Sequence, residues 1–473
     1  MRITIIGAGP GGYTAAFDAA RRGAEVTLVE SDSLGGTCLN RGCIPTKTLK
    51  SSAEVLEAMG RCAEFGIAND GTPSVDRPAV IARKRRVSDI LRGGLEKTCA
   101  KLGIRVAAGR GRIVGADLVQ VVRPDGTTLD VPGDRVIVAT GSSVMHLPAM
   151  PVDGRHVLSS DEALEIDHVP NRLMIVGGGV VGVELAFIFR AFGSQVTIVE
   201  GQDRLLPIPS VDGAMSRLLL REAKKKGIRV ELCRTVSALS IEDRCVHASL
   251  AESPFVAPER IPKAARIPAI LEADCLFVTV GRVPNSAGLG LAEAGIATDR
   301  RGYIVVNDRL ETSVPGIYAI GDILGPQRIM LAHMASAEAH AAVANIFGER
   351  VQPDYGCVPS AIFSSPEIGE VGLSEEQAKE LGLDAAAVEL PFRELGKAQA
   401  IGELPGVFKL VADRKTGRLL GAHIAGAHAS DLIAECTLAL QTGATVGDIR
   451  STIHAHPTLS EGVMEAAALF KTE

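Results

Sequence analysis

The stretch "ITIIGAGPGGYTAAFDAARRGAEVTLVE" at residues 3–30 recurs in outline as "LMIVGGGVVGVELAFIFRAFGSQVTIVE" at residues 173–200. Each copy reads as an apolar strand, a glycine turn, a helix and a second apolar strand that ends on an acid. The turns hold Gly7, Gly9 and Gly12 in the first copy, and Gly177, Gly179 and Gly182 in the second. The acids are Glu30 and Glu200, and both stand at the same interval after the first glycine. One GxGxxG is a weak signal, but two complete units of this kind constrain the chain to an α/β fold with two Rossmann-like domains. The first glycine makes the tight turn, the second lets the backbone approach a pyrophosphate, and the third lets helix and strand pack closely. The pyrophosphate then rests on the helix N-terminus, where free N–H groups and the dipole favour an anion. The terminal acid accepts hydrogen bonds from ribose hydroxyls. Glycine-rich turns without a ligand would have to mimic this whole unit twice, so the reading is a chain that binds two dinucleotides.

Glu200 also bears on the choice of nicotinamide cofactor. A carboxylate at the ribose repels a 2′-phosphate, which favours NAD over NADP; Arg204, four residues on, works against that preference. Two more segments fit the same architecture. "RVIVATGSS" (135–143) is a strand running into a small-residue turn, and "GIYAIGDI" (316–323) is a strand with Asp322 at its carboxyl end. Ligands of open α/β sheets bind at such ends, although a plain turn acid is the other reading of Asp322. The order implies a first nucleotide domain (1–147 and 282–348), with a second (148–281) inserted in it. "SPFVAPERIPKAARIPAI" (253–270) reads as a long connection between strands of the second domain. Residues 349–473 carry no fingerprint. They show a hairpin in "FKLVADRKTGRLLGAHIAG" and amphipathic stretches at 430–443 and 460–470, the pattern of a C-terminal α+β domain. Three domains suit a chain of 473 residues.

A net charge of -6 and the lack of tryptophan argue against a nucleic-acid binder, which needs a basic footprint and stacking platforms. The basic runs "ARKRR" (82–86) and "KKK" (224–226) are expected to be solvated helix faces. No long apolar run suggests a membrane span. A strand begins almost at the first residue, which leaves no room for a secretory signal peptide. Nine cysteines form no even disulfide framework, so the expected compartment is a bacterial-type cytoplasm, and a matrix protein whose leader has been removed would read the same way.

The cysteines themselves pose a question in "GGTCLNRGCIPTK" (35–47), where Cys38 and Cys43 share a small glycine-framed loop. A metal site, a structural crosslink and a disulfide that opens and closes are all open. Zinc wants four ligands in spaced pairs, and the other seven cysteines are scattered. Pro45 suits a first helical turn, which puts Cys43 at a helix N-terminus that favours a thiolate. Lys47 lies one turn on, on the same face.

Tandem fingerprints, "GGTCLNRGCIPTKTL", "ATGS", "TVGRVPN", "YAIGD" and "HAHPTLSE" together resemble the flavoprotein disulfide reductases, over essentially the whole chain. The resemblance implies a redox-active Cys38–Cys43 disulfide. It also implies FAD in the first fold, held by Gly7, Gly9, Gly12, Glu30 and Asp322, and NAD in the second, held by Gly177, Gly179, Gly182 and Glu200. Cys43 would lie against the flavin, with Lys47 at its N5 atom and Glu184 pairing with Lys47. Cys38 would be the outer thiol that meets the substrate. Pro457 pushes His456 toward an extended conformation, and thiol exchange needs a base for the attacking thiol and an acid for the leaving one. Histidine suits both. In the family pattern His456 has this role and Glu461 orients it, while the C-terminal domain forms a homodimer that brings His456 to the other subunit's disulfide.

"TLSE" (458–461) is also a capping-box sequence, so Glu461 has a helix-capping alternative; a His454–His456 metal pair is disfavoured and His454 is read as structural. No metal is expected. The branch of the family most resembled oxidises a dihydrolipoyl group on a carrier protein of a 2-oxoacid dehydrogenase or glycine-cleavage system. Glutathione-reductase-like and mercuric-reductase-like activities are the nearest alternatives. Glu200 argues against the first and the "ALFKTE" ending, without a cysteine pair, against the second. A role chiefly as a docking component would predict a missing catalytic residue, and none is missing. "MASAEAHAA" (334–342) departs from the family pattern, with Ala339 and His340 where a glycine is usual.

Overall fold

The computed structural model describes residues 1–68 and 71–472. The chain divides into two compact units: Met1–Leu49, Asp76–Met145 and Gly281–Tyr355 form the first, and Lys50–Val75, His146–Val280 and Gly356–Glu473 the second. The first is built on a parallel sheet of five strands in the order Ile317–Ala319, Arg135–Val138, Arg2–Ile6, Glu25–Glu30, Arg105–Ala108. Parallel strands are covered on both faces and therefore read as continuous apolar runs. Accordingly Ile3, Ile5, Leu28, Val136 and Ile137 are all buried. Helix Pro10–Arg21 turns Ala15, Ala16 and Ala19 inward and packs on helix Ala332–Ile346. The expected departure at Ala339 and His340 falls on this second helix. Ala339 is fully buried, whereas His340 is exposed and its Nδ1 lies 3.1 Å from Asp18 Oδ2.

The second unit repeats the plan. Its parallel sheet runs Arg229–Leu232, Gln195–Glu200, Arg172–Val176, Cys275–Val278, Val157–Ser159. Strands Arg234–Glu242, Cys245–Glu252 and Ala269–Ala273 form an antiparallel sheet beside it. The proline-rich segment 253–270 joins the last two strands, as expected, and contains two short 3-10 turns. Residues beyond 356 make a five-stranded antiparallel sheet in the order Ser360–Ile362, Glu367–Gly372, Leu419–Gly426, Val407–Asp413, Ala385–Pro391. The anticipated hairpin is the pair Val407–Asp413 and Leu419–Gly426, and the two amphipathic stretches are helices Ala429–Gln441 and Glu461–Leu469. Phe392 and Phe408 stack at 4.4 Å in the core beneath the final helix. Among the described residues no helix is long and apolar enough to cross a membrane.

The basic run at 82–86 corrects its sequence reading. Arg83, Arg85 and Arg86 are solvated, but Lys84 is buried. It lies on one stripe of helix Arg77–Lys101 with Arg77, Ile81 and Ser88, all turned inward. The helical period, rather than the local charge count, decides its fate. Of the 224–226 run, Lys224 and Lys225 are exposed while Lys226 pairs with Glu57 at 2.6 Å.

A buried ionic cluster ties the C-terminal sheet to the second nucleotide fold. Lys409 Nζ lies 2.8 Å from Asp212 Oδ2, and the Asp212 N–H donates to Glu370 Oε1 at 2.8 Å. His423 Nδ1 is 3.0 Å from the same oxygen and its Nε2 is 3.1 Å from the Leu373 carbonyl. Both ring nitrogens thus face acceptors, the arrangement of an imidazolium. Burial, the largest influence, pulls its pKa down, but the Glu370 hydrogen bond and the charges of Glu370 and Asp212 outweigh it and raise the pKa.

A raised folded-state value means that this stability is complete below the unfolded pKa of about 6.5. It is lost as pH climbs through the folded value. The wild-type denaturation midpoint should therefore fall on the alkaline side, and a Glu370→Gln/His423→Gln double variant should lack that component. Lys409→Met strands a buried carboxylate and should cost about 3–5 kcal/mol. Denaturant titration at neutral pH reads this directly, and an unchanged midpoint would show that the cluster contributes nothing.

Candidate active site

The two nucleotide cradles are near copies in atomic detail. Gly9 and Gly179 cap helices Pro10–Arg21 and Val180–Ala191 without any side-chain hydrogen bond, so the first helical N–H groups stay available to an anion. A Cβ at Gly12 or Gly182 would come within 1.8 or 1.9 Å of the carbonyl oxygen of Gly7 or Gly177. The third glycine is thus fixed by contact between helix and strand. Each terminal acid braces its own turn. Glu30 Oε2 accepts from the Ala8 N–H and Oε1 from the Asp32 N–H, both at 2.8 Å. Glu200 accepts from Gly178 at 2.5 Å and from Gln202 at 2.7 Å. A carboxylate has about four lone-pair sites, so ribose hydroxyls can share these oxygens. Burial is the main influence on Glu30 and raises its pKa against those hydrogen bonds. Uncapped helix, close-packed glycine and acid together fit a dinucleotide in each fold.

The cysteine loop is pinned to the first cradle. The Gly35 N–H donates to the Ala8 carbonyl at 2.8 Å, and a Cβ at Gly36 would lie 2.6 Å from Gly9 Cα. Gly36 is required because the loop runs against the cradle backbone, and Gly35 because its positive φ and the adjacent Leu39 side chain leave no place for a Cβ. Cys38 sits on the short helix Gly36–Arg41 and Cys43 opens helix Cys43–Gly60. Asn40 Nδ2 donates to the Leu34 and Gly36 carbonyls, while Arg92 donates to Asn40 Oδ1. The two cysteines lie within hydrogen-bonding reach of each other. That hydrogen bond, followed by burial, drives the Cys38 pKa far above the usual thiol range. Cys43, at the helix N-terminus, is the member of the pair placed to carry a thiolate. Lys47 is close enough to oppose the Cys38 shift. Tyr13 also adjoins the pair: burial first, then both cysteines, raises its pKa.

Asp322 lies in a 3-10 turn just past strand Ile317–Ala319. Ser142 Oγ donates to its Oδ2 at 2.6 Å, and Arg282 Nε donates to Ser142 Oγ at 2.6 Å. The preceding Gly321 N–H donates to the buried Glu338 at 2.6 Å, and Glu338 also accepts from the Tyr355 hydroxyl at 2.7 Å. Asp322 itself is held by Ser142, and the turn it stands in is held at Gly321 by Glu338.

In the second unit Glu184 is buried and its Oε1 accepts from the Phe363 N–H at 3.0 Å. Arg204 donates to the Val211 and Ile208 carbonyls at 3.0 and 2.9 Å, which occupies the cation that weighed against NAD. His456 stands in the loop before helix Glu461–Leu469, with its side chain 79% exposed. Its Nδ1 lies 2.8 Å from Glu461 Oε1, while Glu461 Oε2 accepts from the Thr458 N–H at 2.8 Å. The capping-box reading of Glu461 does not hold, since the helix begins at Glu461 itself and Ser460 before it makes no side-chain cap; one carboxylate oxygen braces the Thr458 turn and the other lies against the imidazole. The Thr458 hydrogen bond, then that of His456, lowers the Glu461 pKa. With Nδ1–H donated to a carboxylate, Nε2 is left as the ring's proton-accepting atom. His454 is engaged elsewhere, with Nε2 at 2.9 Å from Glu435.

Sequence reading missed Tyr13, Glu338 and Tyr355. Nothing in their spacing announces them; Tyr13 merely follows the fingerprint, and the other two meet through the fold. Ser142 and Arg282 lay inside the quoted motifs "ATGS" and "TVGRVPN" without a role of their own.

Residues 1–339 match the family described as pyridine nucleotide-disulphide oxidoreductase, and residues 358–467 match its dimerisation domain. The dihydrolipoyl dehydrogenase of Haloferax volcanii is 39% identical over 98% of this chain and 95% of its own length. That of Chlorobaculum tepidum is 40% identical over 98% of this chain and 96% of its own. The crystal structure of LpdA from Mycobacterium tuberculosis superposes with a TM-score of 0.90 at 28% identity, covering 99% of both chains. By sequence, fold and the make-up of its dithiol loop, the chain belongs to the pyridine nucleotide-disulphide oxidoreductase family.

Proposed function

We propose that the chain oxidises a protein-bound dihydrolipoyl group to its cyclic disulfide and delivers the two electrons to NAD. The hydrogen-bonded Cys38–Cys43 pair, pinned to the first nucleotide cradle, carries this reading. The near full-length similarity to curated dihydrolipoyl dehydrogenases supports the substrate class. In this proposal the FAD-binding domain comprises 1–147 and 282–348, the NAD-binding domain 148–281 and the interface domain 349–473. Gly7, Gly9, Gly12, Glu30 and Asp322 hold FAD, with Lys47 at the ring and Glu184 as its partner. When bound, FAD supplies two-electron chemistry, taking the electron pair of the dithiol and handing a hydride to NAD.

The chain's own residues handle sulfur and protons. His456 Nε2 removes a proton from one substrate thiol, and the resulting thiolate attacks Cys38 Sγ of the oxidised pair. The Cys38–Cys43 bond breaks, a mixed disulfide forms, and Cys43 leaves as a thiolate under its helix N-terminus. The imidazolium gives its proton to solvent, His456 takes the proton of the second substrate thiol, and this thiolate attacks the sulfur joined to Cys38. Cyclic disulfide forms and Cys38 leaves, taking its proton from the imidazolium. Two cysteine sulfurs are reduced as two substrate sulfurs are oxidised. A lipoyl-bearing protein of a 2-oxoacid dehydrogenase or glycine-cleavage system supplies the substrate, in the reducing cytoplasm where such a half-buried thiol pair can cycle.

Steady-state turnover of dihydrolipoamide with NAD and with NADP tests the reading. NAD should have the higher kcat/KM, because Glu200 repels a 2′-phosphate and Arg204 is committed to backbone carbonyls. Glu200→Ala should narrow the gap chiefly by weakening NAD. A wild-type preference for NADP, or no lipoamide turnover by the FAD-loaded protein, would overturn the proposal.

A further inference from the structure

Strand Gln195–Glu200 runs directly into Gly201, and the chain folded against this end comes from fifty residues on. The Cys233 N–H donates to the Gln202 carbonyl and the Ser253 N–H to the Cys233 carbonyl, both at 2.9 Å. The Phe255 N–H then donates to Ser253 Oγ at 3.1 Å. Arg260 pairs with Asp203, three residues past Glu200. Beneath these contacts Val256, Ile261, Ala265 and Cys233 form a small core of their own. The proline-rich connection is therefore fixed over the strand end by backbone, charge and packing.

Within this anchored segment Phe255 is left 65% exposed while its neighbour Val256 is buried. Its ring lies against Gly201, where a Cβ would come within 2.9 Å of ring Cδ2. A large aromatic side chain is thus held at the surface beside the residue that follows Glu200. Ligands of an open α/β sheet lie outside the carboxyl ends of its strands, and the acid there meets the adenosine ribose. The base joined to that ribose must sit close by.

We propose that Phe255, carried by the 253–261 segment, is a specificity-determining residue that gives the adenine ring of NAD a stacking platform. The inference rests on the reading of the second fold as an NAD site and names the element that grips the adenine end. The nearby cations fit this view. Arg204 is spent on carbonyls and Arg260 is neutralised by Asp203, so this edge offers an aromatic face rather than a phosphate clamp.

Calorimetric binding of ADP-ribose to the FAD-loaded protein tests it without turnover. Phe255→Ala should weaken ADP-ribose binding by roughly 5–150-fold, the scale of one base–aromatic stack. Phe255→Trp should bind like wild type. Nicotinamide mononucleotide, which lacks adenine, should bind all three proteins alike. In turnover the alanine variant should raise the KM for NAD and leave kcat at saturating NAD unchanged. Equal ADP-ribose affinity in wild type and Phe255→Ala would overturn the platform while leaving the NAD site standing. Parallel loss of ADP-ribose and mononucleotide binding would also overturn it, as a general disturbance of the domain. A wild-type protein that binds the 2′-phosphorylated analogue and not ADP-ribose would end the NAD reading itself, and this inference with it.

Discussion

His456→Ala should lose roughly 10²–10⁴-fold in dihydrolipoamide turnover, the usual scale for a positioned general acid–base. The expectation comes from geometry. Glu461 holds Nδ1 at 2.8 Å, so the proton taken from substrate must enter at Nε2. Glu461 itself is fixed by the Thr458 N–H and stays ionised, because that hydrogen bond and the imidazole both lower its pKa. Alanine at 456 removes the proton-transfer atom and leaves this brace in place. Reduction of bound FAD by NADH needs no imidazole and should keep its wild-type rate in stopped-flow absorbance. Equal damage to both half-reactions would point to a structural fault instead. Glu461→Ala should fall between the two proteins, since the imidazole would remain but lose its fixed tautomer.

The parts of this molecule that sequence reveals are those in which one residue type answers one local demand. A glycine at position 12 or 182 is dictated by a carbonyl oxygen less than 2 Å from where a Cβ would stand. That demand recurs wherever a helix crosses a strand so closely, and the pattern is legible without coordinates. The same holds for Pro45 opening the helix of Cys43 and for the acid that closes each βαβ unit. What stayed hidden depends on long-range meeting. Glu338 finds the Gly321 N–H and the Tyr355 hydroxyl through the packing of separate segments, and no spacing encodes that convergence. Lys84 belongs to a run that looks solvated and is buried by its place on the helix stripe. The cluster of Asp212, Lys409, Glu370 and His423 draws on three strands of one sheet and a distant helix cap, so its members read singly as ordinary surface residues. Phe255 falls in a connection whose prolines suggest a spacer. Only the fold shows that its backbone is registered on Gln202 through Cys233.

Mixing Cys38→Ser and His456→Ala chains should restore activity that neither protein shows alone. The family's dimerisation domain spans residues 358–467 and includes His456, whose side chain is 79% exposed in the single chain. An imidazole so exposed, yet oriented by a fixed carboxylate, suits a site completed by a second copy. If each site takes its cysteines from one chain and its imidazole from the other, a mixed dimer has one site with both cysteines and the histidine intact. Its second site carries both lesions. With equal amounts and random pairing, about half the dimers are mixed, each with one sound site of two. Two-fold symmetry then gives roughly a quarter of wild-type turnover. A site built within one chain would keep one lesion everywhere and recover nothing. The measurement is dihydrolipoamide turnover after subunit exchange, with mixed dimers verified by mass or by two affinity tags. No recovery in verified mixed dimers would exclude the shared site while leaving the thiol chemistry of Cys38 and Cys43 intact.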